Sequence, residues 1–423
     1  MSVEPGREDG WRRNIASLRI RNFRIYLYGT VTSQAGSWLQ LTAELWAIVE
    51  LTHSGTAVGL HSVLRFGPIV MFGLYGGLLG DRMNRRKLLF LTQSVLALAA
   101  VVISVGWWMG VRSLVLIYAV VLVQGLVNAV DNPLRRTFIR DMVDDRRLTN
   151  ALGLEGAIST MSRTIGPAIA GVIITTLGVG WCFTLNAISF MAVLVSVALI
   201  DPRKLRQTDT VPRSKGQIRE GLHYAWTSPA IRQTLLLSAI VGAFGWNWQT
   251  LLPLYSADTL HGDAAQFGLL ISMLSVGALV GAVLVARSER PTRRYLLMAC
   301  AVLAVALCAT AAAPSLPFAI VAVIGIGLAG TVVNISSQTR LQLLVSDDMT
   351  GRLMALYSIA WLGTRPVGGA VGGWLTDLVG ARGAFLAGGL VIACVTVLFA
   401  LARRRGGEKR DDRRPDGEND SDI

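Results

Sequence analysis

Three ionisable residues occupy apolar parts of the chain, where water is scarce. Glu44 lies late in one apolar stretch, and His61 and Arg65 lie one helical turn apart in the next. Burial favours a neutral carboxylic acid and nearby cations favour the carboxylate, so such an acid binds and releases a proton as its surroundings change. We predict that Glu44 is a proton-coupling residue, with His61 as a second candidate and Arg65 as a charge partner. A permanent Glu44–Arg65 ion pair that never titrates is the alternative.

Two arginines lie deep within other apolar stretches. Arg163 precedes Gly166-Pro167, and Arg365 directly precedes Pro366. A charge at the centre of a bilayer costs about 2.5 to 3.5 kcal/mol on insertion scales, so its side chain normally faces a cavity or a partner. We expect the pair to flank a central cavity, as a contact for an anionic or carbonyl-bearing substrate or as counter-ions to an acid. Structural bonds to backbone carbonyls beside the prolines are an equally open alternative.

Polar and aromatic residues at similar depth predict the rest of this cavity. Stacking and hydrogen-bonding side chains together suit a bulky amphipathic ligand. Tryptophans near helix ends also serve as anchors at the membrane surface, which is the alternative for them. The candidate cavity residues are Gln34, Trp38, Gln40, Trp246, Asn247, Gln249 and Trp361.

The elements that carry these residues are membrane-spanning helices. The chain has 423 residues, of which 52% are hydrophobic and 16% charged, and its mean hydropathy is +0.51. Apolar stretches of about 20 residues, each long enough to cross a bilayer, recur along it. We predict twelve spans, at 25–49, 56–80, 88–109, 114–132, 152–177, 180–200, 232–256, 265–286, 295–313, 315–338, 353–379 and 382–402.

The net charge of +13 reflects membrane topology. Threading the chain through twelve spans places 35 of the 40 Lys and Arg residues on the side of the termini. Cytoplasmic loops carry such an excess, so we predict that both termini are cytoplasmic and that the protein lies in the cell (inner) membrane. Nucleic acid is therefore not an expected partner. The cysteines form no CxxC pair, and no metal site is expected.

The two halves of the chain repeat each other. IGPAIAGVIITTLG aligns with VGGAVGGWLTDLVG at an offset of 202, and GDRMNRRKLL aligns with SERPTRRYLL at an offset of 208. Six spans per copy give a parallel repeat about an axis along the membrane normal. We predict an all-α membrane protein with six-helix bundles at 25–200 and 232–402. A cytoplasmic N-terminal segment at 1–24, a linker at 201–231 and a disordered tail at 403–423 complete it.

The charged loop GDRMNRRK between spans 2 and 3 carries a family resemblance. With twelve spans in two halves, it resembles the major facilitator superfamily, whose loop pattern is G-x-L-[AG]-D-[RK]-x-G-[RK]-[RK]-[RK]. Asn84 replaces the usual glycine, and because Asn tolerates positive φ, the turn is expected to persist. LTHSGTAVGL, NAVDNPLRRTF and EGLHYAWTSPAIR further resemble the branch containing the enterobactin exporter and macrolide efflux proteins.

The resemblance implies that the loop is part of a cytoplasmic gate. Charges on neighbouring helix ends form such a cluster when the halves close and break it when they open; Arg86 and Lys87 are expected mainly to fix topology. The glycines of span 2 from Gly73 to Gly80 are expected to approach GGAVGG of span 11 closely. The candidate gate residues are Asp81, Arg82, Arg85, Asp131, Arg135, Glu289 and Arg293.

Gly166, Pro167 and Gly171 resemble, in part, an element of drug/proton antiporters and form a candidate hinge. We expect a transporter that exports an amphipathic drug, macrolide-like or siderophore-like molecule by proton antiport. It would need the proton-motive force but no cofactor, and the small molecule and the lipid bilayer are its expected partners; no required protein partner is visible. Proton-coupled uptake or facilitation is one alternative, and a non-transporting receptor or scaffold is another. No P-loop, HExxH or GxSxG motif points to an enzyme.

Overall fold

The computed structural model describes residues 16–206, 224, 226–288, 292–345 and 347–405, except for the side chains of residues 16, 74–82, 347–348 and 402–405. These residues are almost all helical, and this part of the chain contains no strand. Glu289 and the side chains of Asp81 and Arg82 in the predicted gate lie outside the described residues. The same holds for most of the predicted linker and for most of the predicted tail.

Six helices form the first bundle. A short 3-10 turn at Ala16–Arg19 precedes them. Their apolar sequences continue into polar ends, and the helices therefore extend past several of the predicted spans. They are α1 Arg21–Thr52, α2 Gly55–Arg82, α3 Arg85–Trp108, α4 Leu114–Met142, α5 Asp145–Leu177 and α6 Val179–Leu199.

The second bundle repeats this order with two irregular helices. Helix α7 consists of four segments, and Gly380 at φ 74° divides the long helix Arg365–Arg405 into the end of α11 and the start of α12. The elements are α7 Pro229–Ile240, Val241–Gly245, Trp248–Leu254 and Tyr255–Thr259; α8 Ala264–Ala286; α9 Arg293–Ala312; α10 Leu316–Leu343; α11 Asp347–Leu362 and 365–379; and α12 381–405.

Ten stretches in the described ranges are long and apolar enough to cross a membrane, judged by length and composition. One of them, Met349–Leu401, has 53 residues and holds both α11 and α12. Helix α1 has 32 residues but falls outside this set. Its polar side chains include those that form the cluster around Glu44 described below. The helices are thus consistent with twelve membrane passes.

Packing follows the internal repeat. Helix α1 packs on α6 and α2 on α4 in the first bundle, and α8 packs on α10 and α9 on α12 in the second. The bundles meet along two helix pairs, α2 with α11 and α5 with α8. Pairs α2/α11 and α5/α8 are equivalent under the repeat, because α2 corresponds to α8 and α5 to α11.

Tight turns mark one end of the molecule. Positive φ angles follow α1, α3, α5, α7 and α11, at His53 (46°), Gly110 (81°), Gly178 (92°), His261 (51°) and Gly380 (74°). These turns all lie at the end of the bundles opposite to the start of α1, which we call the outer end. The end at which α1 begins is called the inner end. Short turns hold the helices of each pair close together at the outer end.

Two sequence expectations, one about the turn after α2 and one about its glycines, were wrong in detail. Asn84 has φ −61°, not a positive φ, and its side chain caps α3 by accepting from the Lys87 backbone N–H at 3.1 Å. The side-chain oxygen of Asn84 thus stabilises the turn, whereas glycine in the family pattern would permit it through conformational freedom. GGAVGG of α11 does approach α2 closely, but at Gly55 and Gly59 near the outer end, and a Cβ on Gly73 would have no neighbour within 4 Å.

Candidate functional site

Glu44 lies at the centre of a buried polar cluster between α1, α2 and α4. One carboxylate oxygen accepts from the Nε2 of Gln40 (2.7 Å) and the Nε2 of Gln124 (3.0 Å). The other lies 3.1 Å from the Nε2 of His61 and 3.7 Å from a guanidinium nitrogen of Arg65. The structure therefore brings together the three residues selected for proton coupling, and Glu44 is fully buried.

The cluster extends across the first bundle through amides that the sequence analysis did not select. Arg65 donates to the Oε1 of Gln124 at 2.9 Å. Asn186 on α6 donates to the Oε1 of Gln40, and its own Oδ1 accepts from Ser189 at 3.1 Å. A polar amide in an apolar stretch was the available signal for Gln124 and Asn186. Gln40, predicted to line the cavity, instead orients the carboxylate of Glu44.

His61 gives this cluster a second side chain, besides Glu44, that can carry a proton. Its Nε2 faces Glu44, while its Nδ1 is buried without a hydrogen-bond partner among the described residues. A neutral imidazole donates through one nitrogen and accepts through the other. The pair can therefore hold a proton on Glu44 or on His61 without leaving the cluster. The adjacent Ser62 meets Thr250 of α7 at 3.0 Å, which connects this part of α2 to the second bundle.

Arg163 on α5 and Arg365 on α11 lie at equivalent positions of the two bundles, each on a helix that packs against the opposite bundle. The Nε of each is buried without a hydrogen-bond partner among the described residues, and neither forms an ion pair there. Bonds from their side chains to the backbone carbonyls beside the prolines, the structural alternative, are also not found among those residues.

The predicted aromatic residues form two groups. Trp38 stacks on Trp248 with ring centroids 6.5 Å apart, across the two bundles. Trp361 packs beneath Trp246 at 6.2 Å and against Tyr357 at 6.4 Å. Trp361 is only 5% exposed, so it is buried against Trp246 and does not line the predicted cavity. Trp38 and Trp246 are partly exposed.

Helix α7 is interrupted where its polar residues lie. Val241–Gly245 is a π-helical turn, and Trp246 and Asn247 leave helical geometry before α7 resumes. The amide of Asn247 donates to the Gly368 carbonyl of α11 at 2.5 Å. Gln249, two residues after Asn247, is partly exposed. Irregular backbone in a membrane helix is tolerated where it lines a cavity or is buried in protein, so this interruption belongs to the candidate site.

Gln34 lies nearer the inner end on α1. It is partly exposed, and its Nε2 lies 3.5 Å from the Oε1 of Glu155 on α5. The structure therefore separates the candidates into a buried acid cluster, an arginine pair between the bundles and a more distant polar contact at Gln34.

The described gate residues of the first half contact partners within their own bundle. Arg85 binds Asp141 of α4 at 2.6 Å, a carboxylate that sequence reasoning missed. Asp131 accepts from Arg135 at 2.6 Å and also from Thr92 (2.6 Å) and Gln93 (2.8 Å) of α3. These contacts join α3 to α4 at the inner end.

Two basic residues at the starts of α3 and α9 bind backbone carbonyls of the last helix of their bundle. Arg86 donates to the carbonyls of Val197 (3.1 Å) and Ala198 (2.8 Å) at the end of α6. Arg293, a predicted gate residue, donates to Phe399 of α12 at 2.5 Å. Cations at helix C-termini satisfy free carbonyls and complement the helix dipole. Arg86 therefore has a structural contact beyond the topological role expected of it.

The candidate hinge lies in the α5/α8 contact. Helix α5 continues through Pro167, as membrane helices often do when neighbours support them. A Cβ on Gly166 would lie 2.7 Å from the Cβ of Trp38, and one on Gly171 would lie 2.5 Å from the carbonyl oxygen of Ala264. Gly171 thus allows close approach of the two bundles, and Gly166 allows close approach of α5 to α1 within the first bundle.

Asp377 at the outer end was not selected from the sequence. It reaches from α11 to the first turn of α2, where it accepts from the backbone N–H groups of Gly55 and Thr56 and from the hydroxyls of Ser54 and Thr56. His53 and Asp258 form a second contact between the bundles at 2.9 Å. The signal available was an acid two residues before the end of an apolar span.

Two six-helix bundles related by a parallel repeat, with polar residues where they meet, define a membrane transporter of the major facilitator fold. The chain belongs to the transmembrane secretion effector family, whose model matches residues 13–418. The predicted superfamily resemblance and fold class are thereby confirmed, and the family and fold are those of membrane transporters.

Two relatives that match along most of the chain are efflux proteins. The multidrug efflux pump Tap of Mycobacterium tuberculosis is 26% identical over 395 residues, covering 89% of this chain and 92% of Tap. Macrolide efflux protein A of Streptococcus pyogenes is 21% identical over 394 residues, covering 90% and 97%. The staphyloferrin A transporter of Staphylococcus aureus is 26% identical over 251 residues, which span 58% of this chain and 62% of that protein. These relatives support an efflux transporter that crosses the membrane several times.

Solved structures show the same fold. A bacterial homologue of the iron transporter ferroportin in an inward-facing state superposes with a TM-score of 0.71 at 15% identity, covering 90% of this chain and 98% of that chain. A bacterial homologue of the human lysosomal transporter Spinster, inward-facing and unoccupied, gives 0.69 at 14% identity, covering 90% and 95%.

Proposed function

We propose that the chain exports an amphipathic small molecule from the cytoplasm in exchange for protons. Both termini lie in the cytoplasm in this proposal, and the proton-motive force drives the cycle without a cofactor. The efflux relatives support the direction of transport, and drugs, macrolide-like compounds and siderophore-like metabolites are the candidate substrate classes.

The observation that carries the proposal is the buried cluster of Glu44, His61 and Arg65. Its equivalents in the second half, at an offset of 208, are Leu252, Leu269 and Met273. The repeat therefore does not require an acid here, and one bundle alone holds the buried titratable pair. An intramembrane ionisable cluster that packing symmetry does not demand is best explained by a functional role.

The arrangement of the bundles suits this role. Hydrogen bonds and ring contacts between the bundles, where both partners are described, lie from the level of Arg163 to the outer end. With cytoplasmic termini, the closed outer end faces the outside, and substrate enters from the inner end. A proton that moves inward across 100 mV supplies about 2.3 kcal/mol for the return step.

Everted membrane vesicles test the proposal with radiolabelled ciprofloxacin, an amphipathic drug, as the probe. Energised vesicles containing the full chain should accumulate the probe, and an uncoupler should abolish this accumulation. Glu44→Gln keeps the side-chain shape but cannot exchange a proton. Vesicles with this variant should bind the probe but accumulate at least tenfold less of it than vesicles with the unmodified protein. Probe loss from energised vesicles would instead favour proton-coupled uptake.

The matched control is Glu50→Gln, two turns along the same helix. Glu50 is exposed and accepts from the indole N–H of Trp46 at 2.6 Å. This variant should accumulate the probe like the unmodified protein. Full coupling in Glu44→Gln would refute the role of the cluster.

A further inference from the structure

We propose that Arg163 and Arg365 together bind a carboxylate of the transported molecule, which makes the substrate class an amphipathic organic acid. The inference rests on the proposed function, because it takes the space between the bundles as the transport path. It assigns a negative charge to the transported molecule, which neither the fold nor the relatives' names specify.

The positions of the two arginines come from the repeat. At an offset of 202, Arg163 of α5 corresponds to Arg365 of α11. Helices α5 and α11 each contact the opposite bundle, so each arginine lies on a helix that borders the space between the bundles. The backbone carbonyl of Arg163 accepts from Ser275 of α8 at 3.3 Å, which places this residue at the bundle boundary.

The two like charges lack a counter-ion among the described residues. The buried carboxylates nearby are engaged elsewhere: Glu44 with Arg65 and His61, and Asp131 with Arg135. The closest acid named on α5 is Glu155, about two turns towards the inner end, and it faces Gln34. Bringing two cations together within the membrane is unfavourable unless an anion joins them. A ligand carboxylate supplies that anion and the acceptors that both Nε atoms lack.

The surroundings suit a carboxylate attached to an apolar or aromatic body. The guanidinium carbon of Arg365 lies over the ring of Phe66 on α2, 5.2 Å from its centroid. The hydroxyl of Tyr357, two turns before Arg365 on α11, is engaged elsewhere, since it donates to the Asn334 carbonyl at 3.0 Å and accepts from the Asn334 amide at 2.9 Å. A planar guanidinium forms paired hydrogen bonds with a carboxylate, and contact with an aromatic face does not use its N–H groups, so Arg365 can form this pair.

Two fluorescent probes that differ only in charge test the inference. Dansylglycine carries a carboxylate, and dansylglycine methyl ester does not. The full-length protein in nanodiscs should bind dansylglycine at least tenfold more tightly than the ester, after subtraction of partitioning into empty nanodiscs. Arg163→Gln and Arg365→Gln should each weaken dansylglycine binding about tenfold and leave ester binding unchanged. Equal affinities for the two probes, or no saturable binding of dansylglycine, would overturn the inference.

Further variants separate binding from folding. Arg365→Lys keeps the charge but loses the planar fork, so its affinity for dansylglycine should lie between those of the unmodified protein and Arg365→Gln. Arg112→Gln, at the outer surface beside Trp107, should bind both probes like the unmodified protein. A uniform loss of both probes in the Gln and Lys variants would show a structural role and contradict the inference.

The outcome is independent of proton coupling, because the nanodiscs are not energised. Glu44→Gln should retain the preference for the acid over the ester. Full coupling in Glu44→Gln vesicles, with the preference for the acid preserved, would defeat the proposed function alone. Equal binding of the acid and the ester by the unmodified protein, with coupling lost in Glu44→Gln vesicles, would defeat the carboxylate site alone.

Discussion

The two contacts between the bundles are copies of one another, yet they are held differently. In the α2/α11 contact, Gly55 and Gly59 face Gly369 and Gly373. In the α5/α8 contact, backbone from Pro167 to Gly171 faces Ala264 to Gly268. Both contacts depend on small residues that bring backbones together, and they differ in the group that closes their outer ends.

Asp377 closes the α2/α11 contact with a charge. Its carboxylate accepts from the Thr56 N–H (2.9 Å), the Thr56 hydroxyl (2.5 Å) and the Ser54 hydroxyl (3.1 Å), as well as from the Gly55 N–H. It therefore acts as an N-cap supplied by one bundle to a helix of the other. Capping groups and negative charges at a helix N-terminus are both stabilising.

Thr175 occupies the equivalent place in the α5/α8 contact. Its hydroxyl accepts from the Ala265 N–H at 3.2 Å and donates to Asp263 at 3.5 Å. Asp263 caps α8 from within, by accepting from the Gln266 N–H at 2.9 Å. Helix α2 likewise has a cap of its own, because the Ser54 hydroxyl accepts from the Ala57 N–H at 3.3 Å. Both helices receive a second capping group across the boundary, which is a neutral hydroxyl accepting from one N–H at α8 and a carboxylate accepting from four donors at α2. Opening the outer end breaks more and stronger hydrogen bonds at α2, so the α2/α11 contact is expected to control that opening.

The largest expected effect comes from breaking the backbone approach itself. A Cβ on Gly59 would lie 2.4 Å from the carbonyl oxygen of Gly369, and one on Gly67, two turns along α2, would have no neighbour within 4 Å. Gly59→Val should therefore reduce the population closed at the outer end at least tenfold, and Gly67→Val should leave it unchanged.

Pulsed EPR distances at the outer end measure this population. Spin labels at Met109→Cys and Ser315→Cys, which are exposed on opposite bundles, report the separation in a background without native cysteines. A longer distance should dominate in Gly59→Val. An unchanged distance distribution would show that the glycine contact does not hold the end closed.

The second prediction compares the two closing groups directly. Removal of an N-cap costs about 0.5 to 2 kcal/mol, so Asp377→Ala should shift the same distance distribution about two- to thirty-fold towards the open end. Thr175→Val, at the equivalent position, should shift it less than about threefold, because the neutral hydroxyl of Thr175 accepts from a single N–H of α8. Equal shifts in the two variants would contradict the asymmetry.

The sequence predicted the fold and the members of the acid cluster for a clear physical reason. Apolar length and repeated segments identify membrane helices, and charges in such helices need partners, so Glu44, His61 and Arg65 could be grouped by depth alone. Their amide partner Gln124 depends on which helices are neighbours in the bundle, and apolar periodicity does not report that.

The outer contact shows where sequence reasoning stopped. Asp377 lies at the end of a span, where an acid is inexpensive, and only the packing of α11 on α2 reveals its donors. Similarly, GGAVGG indicated close approach to α2 but not the end at which it occurs. The position along a helix pair depends on the conformation of the transporter, and one sequence must serve every conformation of the cycle.

The smallest expected effect comes from converting one contact into the other. Thr175→Asp alone places a second carboxylate beside Asp263, and like charges at this separation repel, so the outer end should open slightly. Adding Asp263→Gly removes that charge and recreates the pattern found at Asp377 and Gly55, in which one bundle caps a helix of the other. The double variant should then close the outer end about two- to fivefold more than Thr175→Asp alone. A double-mutant cycle on the same EPR distances gives this coupling, and additive effects of the two changes would mean that a carboxylate cap from the other bundle is not what distinguishes the α2/α11 contact.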